Sequence, residues 1–145
     1  TPLTSSAASD VYKRQDGYPA ERDRIFSLFK NNNSKLISLA GDTHNAWFSK
    51  LFNNAEEHIG YEFGTPSVTS PGLSEYLNGV NPRKLEQGII NANKEIKWVN
   101  ASHRGYTKIY LNEFILKGTF KFIESVLEKS AEISFSKTFT IDPKS

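Results

Sequence analysis

The sequence predicts an α/β protein, a layered domain that ends in antiparallel strands. Three observations carry this reading. Ile25, Leu28 and Phe29 repeat at i, i+3, i+4, which is one face of a helix. A short apolar run at residues 35–40 follows, bounded by turn residues as a strand is. In the last third the period falls to two, and strands follow one another without an intervening helix.

Each element has its own local signal. Asp16 and Gly17 are turn residues, and Pro19 suits the first turn of a helix because its missing N–H is not needed there. Glu21 and Asp23 near the start and Lys30 near the end complement the helix dipole, and three asparagines at 31–33 stop it. Residues 35–40 (KLISLA) read as a buried strand. Residues 46–52 fit a helix or a strand paired with residues 59–63 equally well. Two prolines and a glycine shape residues 65–72 into a loop, and short helices are expected at 73–77 and 82–91. Strands are expected at 106–111, 119–126 and 133–141; in the last, Ile133, Phe135, Phe139 and Ile141 share a face that Lys137 interrupts.

Composition sets outer bounds. A chain of 145 residues with 37% apolar side chains is long enough for one domain with a core. The formal net charge of +2 lacks the strongly basic footprint of a general nucleic-acid binder. With no cysteine there is no disulfide, thiol nucleophile or cysteine-based zinc site in this stretch. No apolar run is long enough to span a membrane, so no membrane partner is expected. The absence of methionine, with Thr1 at the start, is expected of a processed or truncated chain. Residues 1–15, rich in Ser and Thr, resemble translated adapter sequence and are set apart as an artefact or a disordered arm.

The chemistry concentrates in Gly41-Asp42-Thr43-His44, directly after the apolar run. Ligands of layered α/β proteins gather at the carboxyl ends of strands. A carboxylate suits a hard cation such as calcium and an imidazole suits iron or zinc, so Asp42 and His44 can serve two metals. Taken alone the motif is short, and a strand-end turn in which Asp42 caps backbone amides and His44 sits at the surface is the better expectation.

Its neighbours add weight. Asp16-Gly17-Tyr18-Pro19-Ala20-Glu21-Arg22, the Gly41-Asp42-Thr43-His44-Asn45-Ala46-Trp47 block and Thr65-Pro66-Ser67-Val68-Thr69-Ser70-Pro71-Gly72 occur in order, followed by Asn81-Pro82 and Arg104-Gly105-Tyr106. From residue 16 to the end the series closely resembles the carboxy-terminal half of the alkaline phosphatase D (PhoD-like) family of metallophosphoesterases. The resemblance implies the carboxy-terminal part of a calcineurin-like four-layer α/β/β/α sandwich that hydrolyses phosphate monoesters and diesters. It implies ferric iron and calcium as cofactors, with Asp42 on calcium and His44 on iron. It also implies a monomer when full length and export to the periplasm or beyond. The family's other metal motifs, including a cysteine-bearing one, are not in this sequence, so the chain alone is expected to be inactive. Metals can polarise phosphoryl oxygens and activate a water-derived nucleophile.

The remaining polar residues have plain alternatives. Asn45 can contact phosphate or hold a turn, and the turn is the better expectation. Trp47 can line a substrate mouth or fill core. Arg104 has the fork geometry for phosphate, or it pins a strand through an ion pair. His58 is expected in solvent, and Ser67, Thr69 and Ser70 are expected to shape a loop rather than attack a substrate. His103 precedes a strand. A standalone binding or structural module is the alternative to a hydrolase. Single-stranded nucleic-acid binding, drawn from Lys and Arg interleaved with Tyr and Phe, ranks below both.

Overall fold

The computed structural model describes residues 18–32, 34–129 and 132–142. The adapter-like stretch at 1–15 and the turn at Asp16-Gly17 lie outside them. Helix α1 (Pro19–Asn31) opens the described chain with proline in its first turn, Glu21 at its start and Lys30 at its end. Asn32 stops it by donating from Nδ2 to the Leu28 carbonyl, at 2.8 Å. Phe26 is its buried residue. Lys30 pairs with Glu57 at 2.6 Å, and Asn54 Nδ2 donates to Asp23 at 2.7 Å, which fixes the helix beside the first sheet.

That sheet contains β1 (Leu36–Ala40), β2 (Ala46–Phe52), β3 (His58–Gly64) and β4 (Ile96–Asn100) in the order β1-β3-β2-β4. β1 runs parallel to β3, and β2 is antiparallel to both β3 and β4. Residues 46–52 are therefore strand: Phe48 lies opposite Phe63 and packs on it, with ring centroids 5.1 Å apart. The sequence predicts no strand at 96–100; β4 is held by pairing with β2 and by the Trp98 ring against the second sheet. A further correction concerns β1. Its apolar run predicts burial, yet none of its residues is buried and Leu39 is 62% exposed. The reason is position: β1 is the sheet's edge, and only Ile37 of this strand packs against the core.

The chain next forms α2 (Leu73–Tyr76) and α3 (Pro82–Ala92), whose Asn81 cap accepts from the amides of Arg83 and Lys84. α3 lies along β4. The second sheet is an antiparallel meander of β5 (Arg104–Leu111), β6 (Leu116–Ile123) and β7 (Phe135–Ile141). β6 starts three residues before its expected position and β7 two residues after. β6 alternates buried and less buried residues, so Leu116, Gly118, Phe120 and Phe122 face the first sheet. Phe120 and Phe122 are fully buried, and burying an aromatic ring contributes about 1.5–3 kcal/mol. The sheets meet through aromatic rings: Phe48 on Phe139 at 4.1 Å, Trp98 on Phe120 at 5.0 Å and Phe63 on Phe120 at 5.9 Å between centroids. Gly118 allows this approach, since a Cβ there would fall 2.1 Å from the Phe63 ring. The architecture is thus α/β, with two sheets face to face. Tyr106 and Tyr110 point away from this core at 47% and 54% exposure, so only part of the aromatic alternation in the last third is core.

Candidate functional site

β1 and β3, being parallel, end side by side at Ala40 and Gly64. The Thr65 amide donates to the Ala40 carbonyl at 2.7 Å, so both connecting loops leave from one point. Trp47 supports that point from β2. Its ring lies over Gly64, where a Cβ would fall 2.2 Å from the indole, and its N–H donates to Glu62 at 3.0 Å. Glu62 also accepts from the Ser38 hydroxyl at 2.8 Å, which ties β1, β3 and β2 together across one face.

The loop beyond β1 is tightly wound. The Thr43 amide donates to the Gly41 carbonyl at 2.9 Å, closing a three-residue turn around Asp42. Asp42 sits at φ 71° and His44 at φ 61°, the left-handed region that costs an L-residue roughly 1–2 kcal/mol. Two such residues in one short loop persist only because the surroundings hold them.

Those surroundings come from distant sequence. His44 Nδ1 lies 2.9 Å from the Pro71 carbonyl. A carbonyl can only accept, so Nδ1 carries a proton, which leaves Nε2 as the ring nitrogen that can offer a lone pair. This is the arrangement that orients a metal-binding histidine. Asn45 holds the far end: Nδ2 donates to the Thr43 carbonyl at 2.6 Å, and Oδ1 accepts from the Leu73 amide at 3.0 Å. The turn role expected for Asn45 is what its contacts display. Ser67 likewise shapes its loop, donating its hydroxyl to the Ser70 carbonyl at 2.5 Å.

Arg104, the first residue of β5, is 4% exposed. Its Nη2 donates to Glu75, and Glu75 in turn accepts from the Gly72 amide at 2.9 Å. Partial burial raises the Glu75 carboxyl, but the Arg104 and Gly72 hydrogen bonds outweigh it and hold the group below the usual carboxylate range. Arg104 therefore pins the 65–76 segment through an ion pair, one of the two alternatives that the sequence left open. Its Nη1 is buried without a hydrogen-bond partner. Gly72 lies where these parts converge, since a Cβ on it would fall 2.8 Å from Asn45 Oδ1, 3.1 Å from Arg104 Nη1 and 3.2 Å from the His44 carbonyl. Glu75, Gly72 and the Pro71 carbonyl are contributors that the sequence did not single out. Gly72 closes the Thr65–Gly72 block, but Glu75 carries no local signal for a partner 29 residues away.

The other histidines stand apart from this cluster. His58 is partly buried rather than solvated: Nε2 donates to the Gly60 carbonyl at 3.0 Å, and Lys35 donates to Nδ1 at 3.3 Å. Burial first, then the Lys35 charge, hold its pKa below the ordinary histidine value. His103 packs edge-on against Phe135, with centroids 4.8 Å apart.

Chemically, the loop offers an exposed carboxylate at Asp42 and an oriented imidazole nitrogen at His44. These donors fit one side of a cation site. They fall well short of full coordination, and among the described residues no group of three or more His, Cys, Asp or Glu side chains is arranged to hold a metal ion.

The pattern of the PhoD-like phosphatase family matches residues 3–120. Alkaline phosphatase D of Bacillus subtilis (strain 168) is 31% identical over an alignment 141 residues long that covers 92% of this chain and 23% of that protein. The chain thus spans about a quarter of the length of this curated relative. No solved structure matches.

Proposed function

The chain belongs to the PhoD-like phosphatase family, and from that membership we propose that it is part of a phosphoester hydrolase with ferric iron and calcium at its centre. In this reading His44 supplies Nε2 to iron and Asp42 supplies carboxylate oxygen to calcium, each donor matched in hardness to its metal. When bound, such cations lend Lewis-acid charge to phosphoryl oxygens. The chain's own residues do the positioning. Pro71 keeps the proton on His44 Nδ1, Asn45 holds the loop against residue 73, and Arg104 with Glu75 fixes the segment that carries Pro71. The substrate is a phosphate monoester or diester, and the site faces the periplasm or the cell exterior. Around it stands a four-layer sandwich of which the two sheets here are the middle.

The observation that carries this reading is the His44–Pro71 bond next to the left-handed turn at Asp42. It is tested by metal analysis of the full-length enzyme containing this chain. Asp42→Asn should lower calcium occupancy and His44→Ala iron occupancy, and unchanged occupancies would overturn the assignment. The chain by itself has two of the ligands, so it should not hydrolyse bis(p-nitrophenyl) phosphate with calcium and iron supplied. Metal-dependent turnover by the isolated chain would sink that part of the reading.

A further inference from the structure

The two faces of the second sheet differ in chemistry. The inner face meets the core through Leu116, Phe120, Phe122 and Phe139. The outer face carries Tyr106, Lys108 and Tyr110 on β5 and Lys117 and Lys121 on β6. β7 adds only hydroxyl side chains there, of which Thr138 meets Thr119 at 3.1 Å. Register sets Tyr106 opposite Lys121 and Tyr110 opposite Lys117, so each tyrosine has a lysine on the next strand, and Lys108 lies between the two rings. Both tyrosines are about half exposed, and Asn112 Nδ2 donates to the Tyr110 hydroxyl at 3.2 Å. No strand residue of this face is acidic; Glu113 and Glu124 lie beyond the strand ends. Among the described residues no carboxylate pairs with Lys108, Lys117 or Lys121, whereas Lys30 and Lys94 elsewhere are paired with Glu57 and Glu56. The chain's formal net charge is only +2, yet this face gathers three unpaired cations within about 14 Å of sheet.

We propose that the outer face of β5, β6 and β7 binds single-stranded nucleic acid without sequence preference. Bases stack on Tyr106 and Tyr110, and Lys108, Lys117 and Lys121 neutralise the phosphates between and beside them. Aromatic rings on an open sheet, with cations along the backbone's course, are how such strands are held, because every base has a π-face. Residues two apart on one strand are about 6.8 Å apart, so the Tyr-Lys-Tyr series of β5 alternates ring and charge on the scale of successive nucleotides. A duplex keeps its bases stacked inside and offers the tyrosines nothing. A polyanion without bases would use the lysines and leave the rings idle. A packed protein layer fits worse still, since lysine is depleted at the centre of such interfaces and no aliphatic side chain lies between these two tyrosines. The inference rests on this face and not on the metal-site reading above.

The test is fluorescence anisotropy of a short labelled oligothymidylate with the full-length enzyme containing this chain, treated with a chelator so that the probe is not cut. The expected result is binding tighter than to the matching duplex, weakening roughly 20-fold between about 50 and 200 mM salt as three phosphate contacts require. Tyr106→Ala with Tyr110→Ala should weaken it about tenfold or more, whereas Tyr106→Phe with Tyr110→Phe, which keeps the rings, should bind as the parent does. Lys108→Gln with Lys121→Gln should reduce the salt dependence even if the alanine pair fails to fold, which its urea midpoint reports. No binding at about 50 mM salt overturns the proposal. So does an alanine pair that folds and binds unchanged, inorganic polyphosphate competing as well per phosphate as the oligonucleotide, or capture by anionic phospholipid vesicles with the oligonucleotide left free. Asp42→Asn with His44→Ala should bind the probe as tightly as the parent. Lost binding in that variant would place the contact at the loop after β1 and overturn the assignment to this face, whereas lost metal with retained binding separates the two readings.

Discussion

Two turns at opposite ends of the first sheet place non-glycine residues in the left-handed region, and they are held in different ways. In the β2–β3 turn, Glu56 has φ 59°. Its backbone hydrogen bonds are local: Asn53 Oδ1 accepts from the amides of Ala55 at 3.0 Å and Glu57 at 2.9 Å, and the Glu56 amide donates to the Asn53 carbonyl at 3.0 Å. Distant residues reach only its side chains, Lys94 at Glu56, Lys30 at Glu57 and Asp23 at Asn54. In the loop after β1, Asp42 and His44 have the same backbone sign, but their supports come from Pro71, Leu73 and the Arg104–Glu75 pair. A turn that only reverses the chain can satisfy itself. The backbone of the turn that carries Asp42 and His44 is held from outside, and its shape depends on the rest of the fold.

The largest expected effect comes from removing the outside support. Arg104→Met keeps an apolar stem in the buried position but leaves Glu75 and the Gly72 segment without their anchor. Breaking a fully buried pair costs about 3–5 kcal/mol; Glu75 is 47% exposed, so about 2 kcal/mol is expected in urea unfolding. In the full-length enzyme the same change should lower metal occupancy, because Pro71 moves with that segment. Asn53→Ala, at the self-contained turn, should cost about 1 kcal/mol and leave occupancy alone. Equal effects on occupancy would erase the distinction between the turns.

Next comes Asn45→Ala, which frees the Leu73 amide and the Thr43 carbonyl, at a cost of about 1–2 kcal/mol. Its measurable signature is faster amide exchange at residues 43 and 73 with the aromatic core unchanged. A smaller effect of opposite sign sharpens the comparison further. Glu56→Gly and Asp42→Gly each relieve one left-handed residue, and each should stabilise the chain by up to about 1 kcal/mol in thermal or urea unfolding. Only Asp42→Gly should also cost the full-length enzyme calcium. Strain without that trade would mean that the Asp42 turn serves no ligand.

How much of this was legible in the sequence follows the same division between local and distant support. Helix α1 has its proline and its asparagine stop, and β6 has strict alternation, so both elements are read from short windows. The helix face is not: Ile25, Leu28 and Phe29 are the expected apolar face, whereas Phe26 is the buried residue and Leu28 is 51% exposed. The Asp42/His44 turn is singled out only through the family resemblance of its neighbouring segments, since by itself the four-residue motif reads as a plain strand-end turn. β4 is not: Ile96-Lys97-Trp98-Val99-Asn100 becomes a strand because β2 offers it an edge and Phe120 a partner for Trp98. β1 misleads in the other direction, since its apolar run reports burial that the described residues do not provide. The Glu75–Arg104 pair and the Pro71 carbonyl have no sequence signature, since one is a long-range contact and the other is backbone.

The smallest expected effect separates the sheet's two ends by pH. His58 begins β3, beside the self-contained turn, and its pKa is held below the ordinary histidine value of about 6.5 by burial and by the Lys35 charge. The unfolded chain then binds the proton more readily than the folded one, so stability rises with pH in this interval. The His58 contribution is complete above the ordinary value and is lost as pH falls through the lowered folded value. Lys35→Met removes one of three lowering causes, the others being burial and the Lys50 charge, and should shrink that slope, while His58→Gln should abolish it. Urea unfolding across this interval measures both. A slope that survives His58→Gln would assign the pH sensitivity elsewhere, and the quiet end of the sheet would no longer be the one that titrates.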